Sequence, residues 1–180
     1  MGKPIVALIP KNGAEDEGGM RPIALLPYVY RLWMCVRKRD VAVWTRGLHG
    51  GKWRAAEVLA WDLAARGEAA RLGGKFFAAA FLDCSKRYER VDQDGAHRRA
   101  VATGCNPVIA NLAMNMYSRD RIAQVHGSHS KEVTVNRGML AGCGFAVHFL
   151  KAIIIGILEA SPVETRDYVD DMVLHSCSGS

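Results

Sequence analysis

The chain has 180 residues, 49% of them hydrophobic and 23% charged, with a formal net charge of +6. This balance excludes a disordered chain and is enough for one domain with a real core, or for two small lobes. The basic surplus fits a polyanion partner without requiring one.

Taken in chain order, Ile5 to Ile9 reads as a short strand stopped by Pro10. Asn12 to Met20 is Gly-rich and acidic, a loop or hairpin tip, and Arg21 to Leu26 is extended up to Pro27. Tyr28 to Val43 mixes large apolar residues with Arg31, Arg37, Lys38 and Arg39, as a helix with one basic face would. The spacing of Ala56, Leu59, Ala60, Leu63 and Ala64 predicts a helix over Arg54 to Glu68, broken by Gly73-Gly74. Phe76 to Leu82 is a continuous apolar run of strand length ending at Asp83, which predicts a buried strand.

Helices are expected from Asp94 to Thr103, ending at Gly104, and from Val108 to Arg119 after Pro107. Val125 to Lys131 reads as a Gly/Ser-rich loop holding His126 and His129, and Val133 to Val135 as a short strand. Gly138 to Gly144 is a glycine-rich bend. Phe145 to Glu159 follows as a helix apolar on most sides, so a buried one. Tyr168-Val169 and Met172 to Leu174 form a hairpin around Asp170-Asp171.

The five cysteines are scattered and never spaced as C-x-x-C, so a disulfide framework or zinc knuckle is not expected and a reducing, intracellular compartment is. No long apolar core follows Met1-Gly2-Lys3-Pro4 as in a secretory signal. The apolar stretch Phe145 to Leu158 is too short to span a bilayer, so no membrane partner is expected.

The chemistry concentrates in carboxylates. Asp170-Asp171 alone reads more readily as a polar turn than as a metal site. Asp83 ends its own apolar strand. If that strand neighbours the 168–174 hairpin, three carboxylates meet at one sheet edge, and hard oxygen donors of this kind suit Mg2+. Asp83 is equally a strand-end cap. Gly47 to Lys52 approaches a phosphate loop but is one residue short, and Trp53 stands where Ser or Thr should bind Mg2+.

Five blocks, in order, resemble the reverse transcriptases, especially those of non-LTR retrotransposons. They are Ala7-Leu8-Ile9-Pro10-Lys11; Arg21-Pro22-Ile23-Ala24-Leu25-Leu26 with Tyr30-Arg31-Leu32-Trp33; Phe81 to Val91; Gly138 to Ala146; and Tyr168-Val169-Asp170-Asp171, the Tyr-x-Asp-Asp signature. The resemblance implies an α/β (α+β) fold: a polymerase palm with an antiparallel sheet backed by helices, plus a partial fingers subdomain. Residues 1–80 would be mainly fingers-like, 81–92 and 131–180 palm-like, and 93–130 a helical connection. With nine residues after Asp171, a thumb is expected to be absent.

The resemblance also implies an RNA-directed DNA polymerase that joins deoxynucleoside triphosphates to a DNA primer on an RNA template. Asp83, Asp170 and Asp171 would be catalytic. Together with the backbone carbonyl of Cys84 they would hold Mg2+, with Mn2+ as a substitute. Lys11 and Arg21 would grip the triphosphate, and Gly142 would let backbone approach the nucleotide. Tyr88, five residues after Asp83, falls at the position that excludes a ribose 2′-hydroxyl; its ring is otherwise a core residue one turn into a helix. Arg31, Arg37, Lys38, Arg39, Arg98 and Arg99 face template phosphates or are a solvated surface. The chain departs from the family at Ala141, where relatives carry Gln, at Gly144 for a usual Pro, and at Ala146 for a common Ser. A nucleic-acid-binding remnant without turnover is the alternative.

Overall fold

The structure, a computed structural model, describes residues 2–11, 19–48, 56–83, 86–160, 164–168 and 171–178. Its elements run β1 (Ile5–Pro10), β2 (Met20–Leu25), α1 (Tyr28–Leu48), α2 (Ala56–Leu72), β3 (Phe76–Asp83), α3 (Arg87–Arg90) and α4 (Gln93–Ala102). They continue with α5 (Pro107–Tyr117), β4 (Arg121–Val125), β5 (Ser128–Val133), α6 (Ala146–Glu159), β6 (Glu164–Tyr168) and β7 (Asp171–Ser178). The strands form two sheets, β2-β1-β4-β5 and β3-β7-β6. Every pairing is antiparallel except β1 with β4. None of the helices among the described residues is long and apolar enough to cross a membrane.

Local chemistry explains most boundaries. Pro22 lies in β2, the sheet's edge strand, where a residue without an N–H is tolerated. Asp92 caps α4 by accepting from Gly95 N at 2.9 Å, and Asn106 caps α5 by accepting from Val108 N, with Pro107 in the first helical turn. Gly74, at φ +64°, ends the connection after α2.

The core lies among α1, α4, α5 and α6. Tyr30, Tyr117, Phe145, Phe149, Met116 and Met139 are its largest fully buried side chains. Trp33 meets Phe145 edge-on with ring centroids 5.4 Å apart, and Tyr117 meets Phe149 edge-on at 6.3 Å. The expected burial of the last long helix is observed: Ala146, Phe149, Leu150, Ala152 and Ile154 of α6 are enclosed.

Two expectations are overturned. The 125–131 loop is a hairpin, β4 and β5 joined by His126 and Gly127 at φ +47° and +82°. Positive φ at both central residues is the two-residue turn whose twist matches paired strands. The Gly supplies one such angle freely, and His adopts the other. The Phe76–Asp83 strand is not buried: Phe76 and Phe81 are 76% and 72% exposed. Among the described residues, α2 is the helix that packs closely against β3, where Gly67 leaves room for the Phe77 ring 3.5 Å from where a Cβ would sit. An unbroken apolar run has the same letters whether or not the chain covers it.

Candidate functional site

The strand ending at Asp83 and the hairpin carrying Tyr168 to Asp171 are neighbours. β3 pairs with β7 with Asp83 directly opposite Asp171, and β6 pairs with β7 with Tyr168 opposite Asp171. β3 and the much later pair β6 and β7 therefore bring Asp83, Asp171 and Tyr168 to one register row at one end of the sheet. β6 ends at Tyr168 and β7 opens at Asp171, one residue before the expected Met172. Cys84 and Asp170 lie outside the described residues.

A second group gathers at the β1–β2 hairpin. Ile9 is opposite Arg21, Pro10 is opposite Met20, and Lys11 N donates to Gly19 O at 2.7 Å. Lys11 and Arg21, ten residues apart, thus share one end of the hairpin, both exposed to solvent. Two cations there raise the local positive potential, which suits phosphate oxygens.

The glycine-rich bend joins the remaining candidates. Gly138 N donates to Val91 O at 2.7 Å, and Met139 N donates to Tyr88 O at 2.7 Å. Gly138 has φ +83°, and a Cβ there would stand 2.7 Å from Glu89 O, so only glycine permits this approach to α3. Further along, Ala24 N of β2 donates to Ala141 O at 2.8 Å. Gly142, at φ +93°, sits against the same Ala24 backbone. Tyr88 is half-buried against the core, the second residue of the short helix α3. The bend therefore ties Tyr88, Gly142 and the strand bearing Arg21 into one frame.

Residues with no sequence signal hold that frame. Buried Gln93 donates through Nε2 to Gly138 O at 2.8 Å and to Tyr117 O at 3.1 Å. Arg121 Nη2 makes the same two bonds, 3.2 and 3.1 Å. Its Nε is buried without a hydrogen-bond partner. Burial lowers the Arg121 pKa, and the negative Glu89 nearby opposes that shift. Cys143 accepts from Tyr117 OH at 3.2 Å, lies 3.8 Å from Tyr30 OH, and contacts Met34 Sδ at 3.4 Å. Burial, reinforced by Cys143, pushes both phenols up, so they stay neutral. Thr45 Oγ1 donates to Val41 O at 2.7 Å, so at 2.7 Å from His148 Nδ1 it accepts, which fixes the proton on Nδ1.

No protein-family model matches the chain, and no curated protein matches it. Solved structures do. The chain is similar to an apo telomerase from Candida tropicalis truncated from the C-terminal domain, with TM-score 0.65, 12% identity, and coverage of 97% of this chain and 43% of that one. It is also similar to Candida tropicalis and Candida albicans telomerases in complex with the TWJ fragment of telomeric RNA. These have TM-scores of 0.71 and 0.66, identities of 11% and 12%, and cover 97% and 98% of this chain. The fold is polymerase-like. Its neighbours are reverse-transcriptase-related polymerases, and at these identities the likeness is one of fold. The chain spans 36–43% of the length of these three neighbours. The expected α/β architecture, a small sheet backed by helices, is thus present.

Proposed function

We propose that the chain carries the fingers and palm of an RNA-directed DNA polymerase. One observation supports this most: within a polymerase-like fold, the register row that opens β7 pairs Asp171 with Asp83, at the Tyr168–Asp171 signature. Carboxylate and carbonyl oxygens are the donor set Mg2+ prefers. Asp83, Asp170 and Asp171, with the Cys84 carbonyl, would hold two such ions. When bound, the ions stabilise the attacking and leaving oxygens as a primer 3′-hydroxyl displaces pyrophosphate from the nucleotide α-phosphorus.

The other residues bind and orient. Lys11 and Arg21 neutralise the triphosphate from the hairpin end. Tyr88 closes the sugar pocket against a 2′-hydroxyl, which favours deoxynucleotides, and the backbone at Gly142 approaches the nucleotide closely. An RNA template follows from the sequence blocks, and two of the structural neighbours are complexes with telomeric RNA. The blocks point to the non-LTR retrotransposon lineage. Cationic α1 residues Arg31, Lys38 and Arg39 are exposed and available to template phosphates.

Ala141, in the bend proposed to approach the nucleotide, stands where most of the reverse transcriptases it resembles carry Gln, and this favours a second reading, nucleic-acid binding without turnover. Primer extension on an RNA template with Mg2+ separates the two, using Asp170→Asn beside the natural chain. The polymerase reading expects incorporation by the natural chain, its loss in Asp170→Asn, and RNA affinity unchanged within about twofold. RNA binding by both with incorporation by neither supports the second reading.

A further inference from the structure

Two side chains outside the proposed site act on it through backbone. Gln93 bridges the carbonyl at the end of α5, Tyr117 O, to the carbonyl of the bend, Gly138 O. Arg121 Nη2 makes the same bridge independently. Duplicated links between the same two acceptors fix their separation. Beyond Gly138 there is no slack: its own N–H and the next one hold Val91 O and Tyr88 O, and its Cα lies against Glu89 without room for a methyl group. A shift of the Gly138 carbonyl is therefore a shift of α3.

We propose that Gln93 and Arg121 are positioning residues for sugar selection, holding the Tyr88 backbone at a set distance from Gly142. The proposal rests on the gate role of Tyr88. A wall that rejects one hydroxyl works only at a fixed distance, since a misplacement of about 1 Å can change a rate by about 10²-fold. Neither residue touches the nucleotide, and each acts through Gly138.

The test is equilibrium binding of dGTP and of GTP, each with Mg2+, to the 180-residue chain by titration calorimetry. The natural chain, Gln93→Met, Arg121→Lys and Tyr88→Ala are compared. Gln93→Met keeps the volume and removes both donors. Arg121→Lys keeps the charge, loses the planar fork, and carries the same test should Gln93→Met fail to fold. The expected result is a preference for dGTP that drops roughly tenfold in Gln93→Met, mainly through tighter GTP binding. Faster exchange of the Gly138 and Met139 amides should accompany it. If Tyr88→Ala removes the preference while Gln93→Met and Arg121→Lys keep it, the positioning role is overturned and the gate stands. Equal weakening of both nucleotides, in step with a lower melting temperature, also overturns positioning, because it marks a purely structural role. If Tyr88→Ala leaves the preference as it was, or the natural chain has none, the gate falls and the proposal with it.

Discussion

A graded series of glycine-to-alanine changes in one bend tests the frame that joins the candidate residues. Gly138 combines φ +83° with a Cβ position 2.7 Å from Glu89 O and 3.0 Å from Glu89 C and Cα. The obstacle is backbone, so it cannot swing away as a side-chain tip would. The left-handed conformation costs an alanine about 1–2 kcal/mol. Relieving the clash costs about 1–3 kcal/mol more. For a chain of this size each kcal/mol lowers the melting temperature by about 2–4 °C, so Gly138→Ala should melt roughly 4–20 °C lower. Gly142 has φ +93°, but its nearest neighbours stand 3.6 Å away, so its alanine bears the conformational cost alone. A decrease of roughly 2–8 °C follows for it. Gly144 has neither a positive φ nor any atom within 4 Å of a Cβ, so Gly144→Ala should stay within about 2 °C. Thermal unfolding followed by circular dichroism measures all three. If Gly138→Ala melts no lower than Gly142→Ala, the close approach of the bend to α3 is wrong.

Three further outcomes are expected. Cys143→Ala removes the acceptor of the buried Tyr117 hydroxyl and should lower stability by roughly 1–3 kcal/mol in urea denaturation; adding Tyr117→Phe should recover part of that loss. A double variant no more stable than the single one would refute the coupling. Burial, with Lys151 and Lys38 nearby, holds the His148 imidazole down at about 4, below its ordinary 6.5. The unfolded chain then takes up this proton first on acidification. The stability His148 contributes is complete above pH 6.5 and is lost as pH falls toward 4, by roughly 2 kcal/mol once partial exposure is allowed for. His148→Gln should flatten that decline in denaturation midpoints measured at pH 7 and 5, and an unchanged slope would count against it. RNA affinity should fall steeply with salt if exposed Arg31, Lys38 and Arg39 meet phosphates, and changing all three to Gln should reduce the logarithmic slope by about 2.

The parts of the fold visible in the sequence are those that local chemistry decides. Pro10 ends β1 and Pro27 follows β2, Gly104 follows α4, and Pro107 opens α5. The end of β3 at Asp83 and the position of the Tyr168–Asp171 hairpin were visible for the same reason. Other features depend on distant partners. No local pattern announces that β1 pairs in parallel with β4, so the split into two sheets was missed. The β4–β5 hairpin was missed because its turn places His126 in a left-handed conformation more usual for Asn or Gly. Gln93 and Arg121 were missed because they serve backbone carbonyls, and every residue has a carbonyl. Gln93 in a first helical turn reads as surface, and Arg121 at a strand start reads the same.

The carboxylate row lies in the β3-β7-β6 sheet and the bend lies against α3 and β2, yet the chain limits how far apart they can be. Asp83 ends β3, and Tyr88 follows five residues later in α3. A fully extended chain advances at most about 3.6 Å per residue, so the two Cα atoms lie within about 18 Å of each other. The true distance is shorter, because Lys86 is left-handed at φ +52° and Arg87 to Tyr88 is already helical. Tyr88 in turn is bonded to Met139, and the bend to Ala24 of the hairpin strand that bears Arg21. A continuous path of backbone and hydrogen bonds therefore runs from the row of Asp83 and Asp171 through Tyr88 and Gly142 to Arg21. The link between α3 and the bend is the pair of amides at 138 and 139. Loosening that link should disturb nucleotide selection before it disturbs the carboxylates, which are held by their own strand pairing.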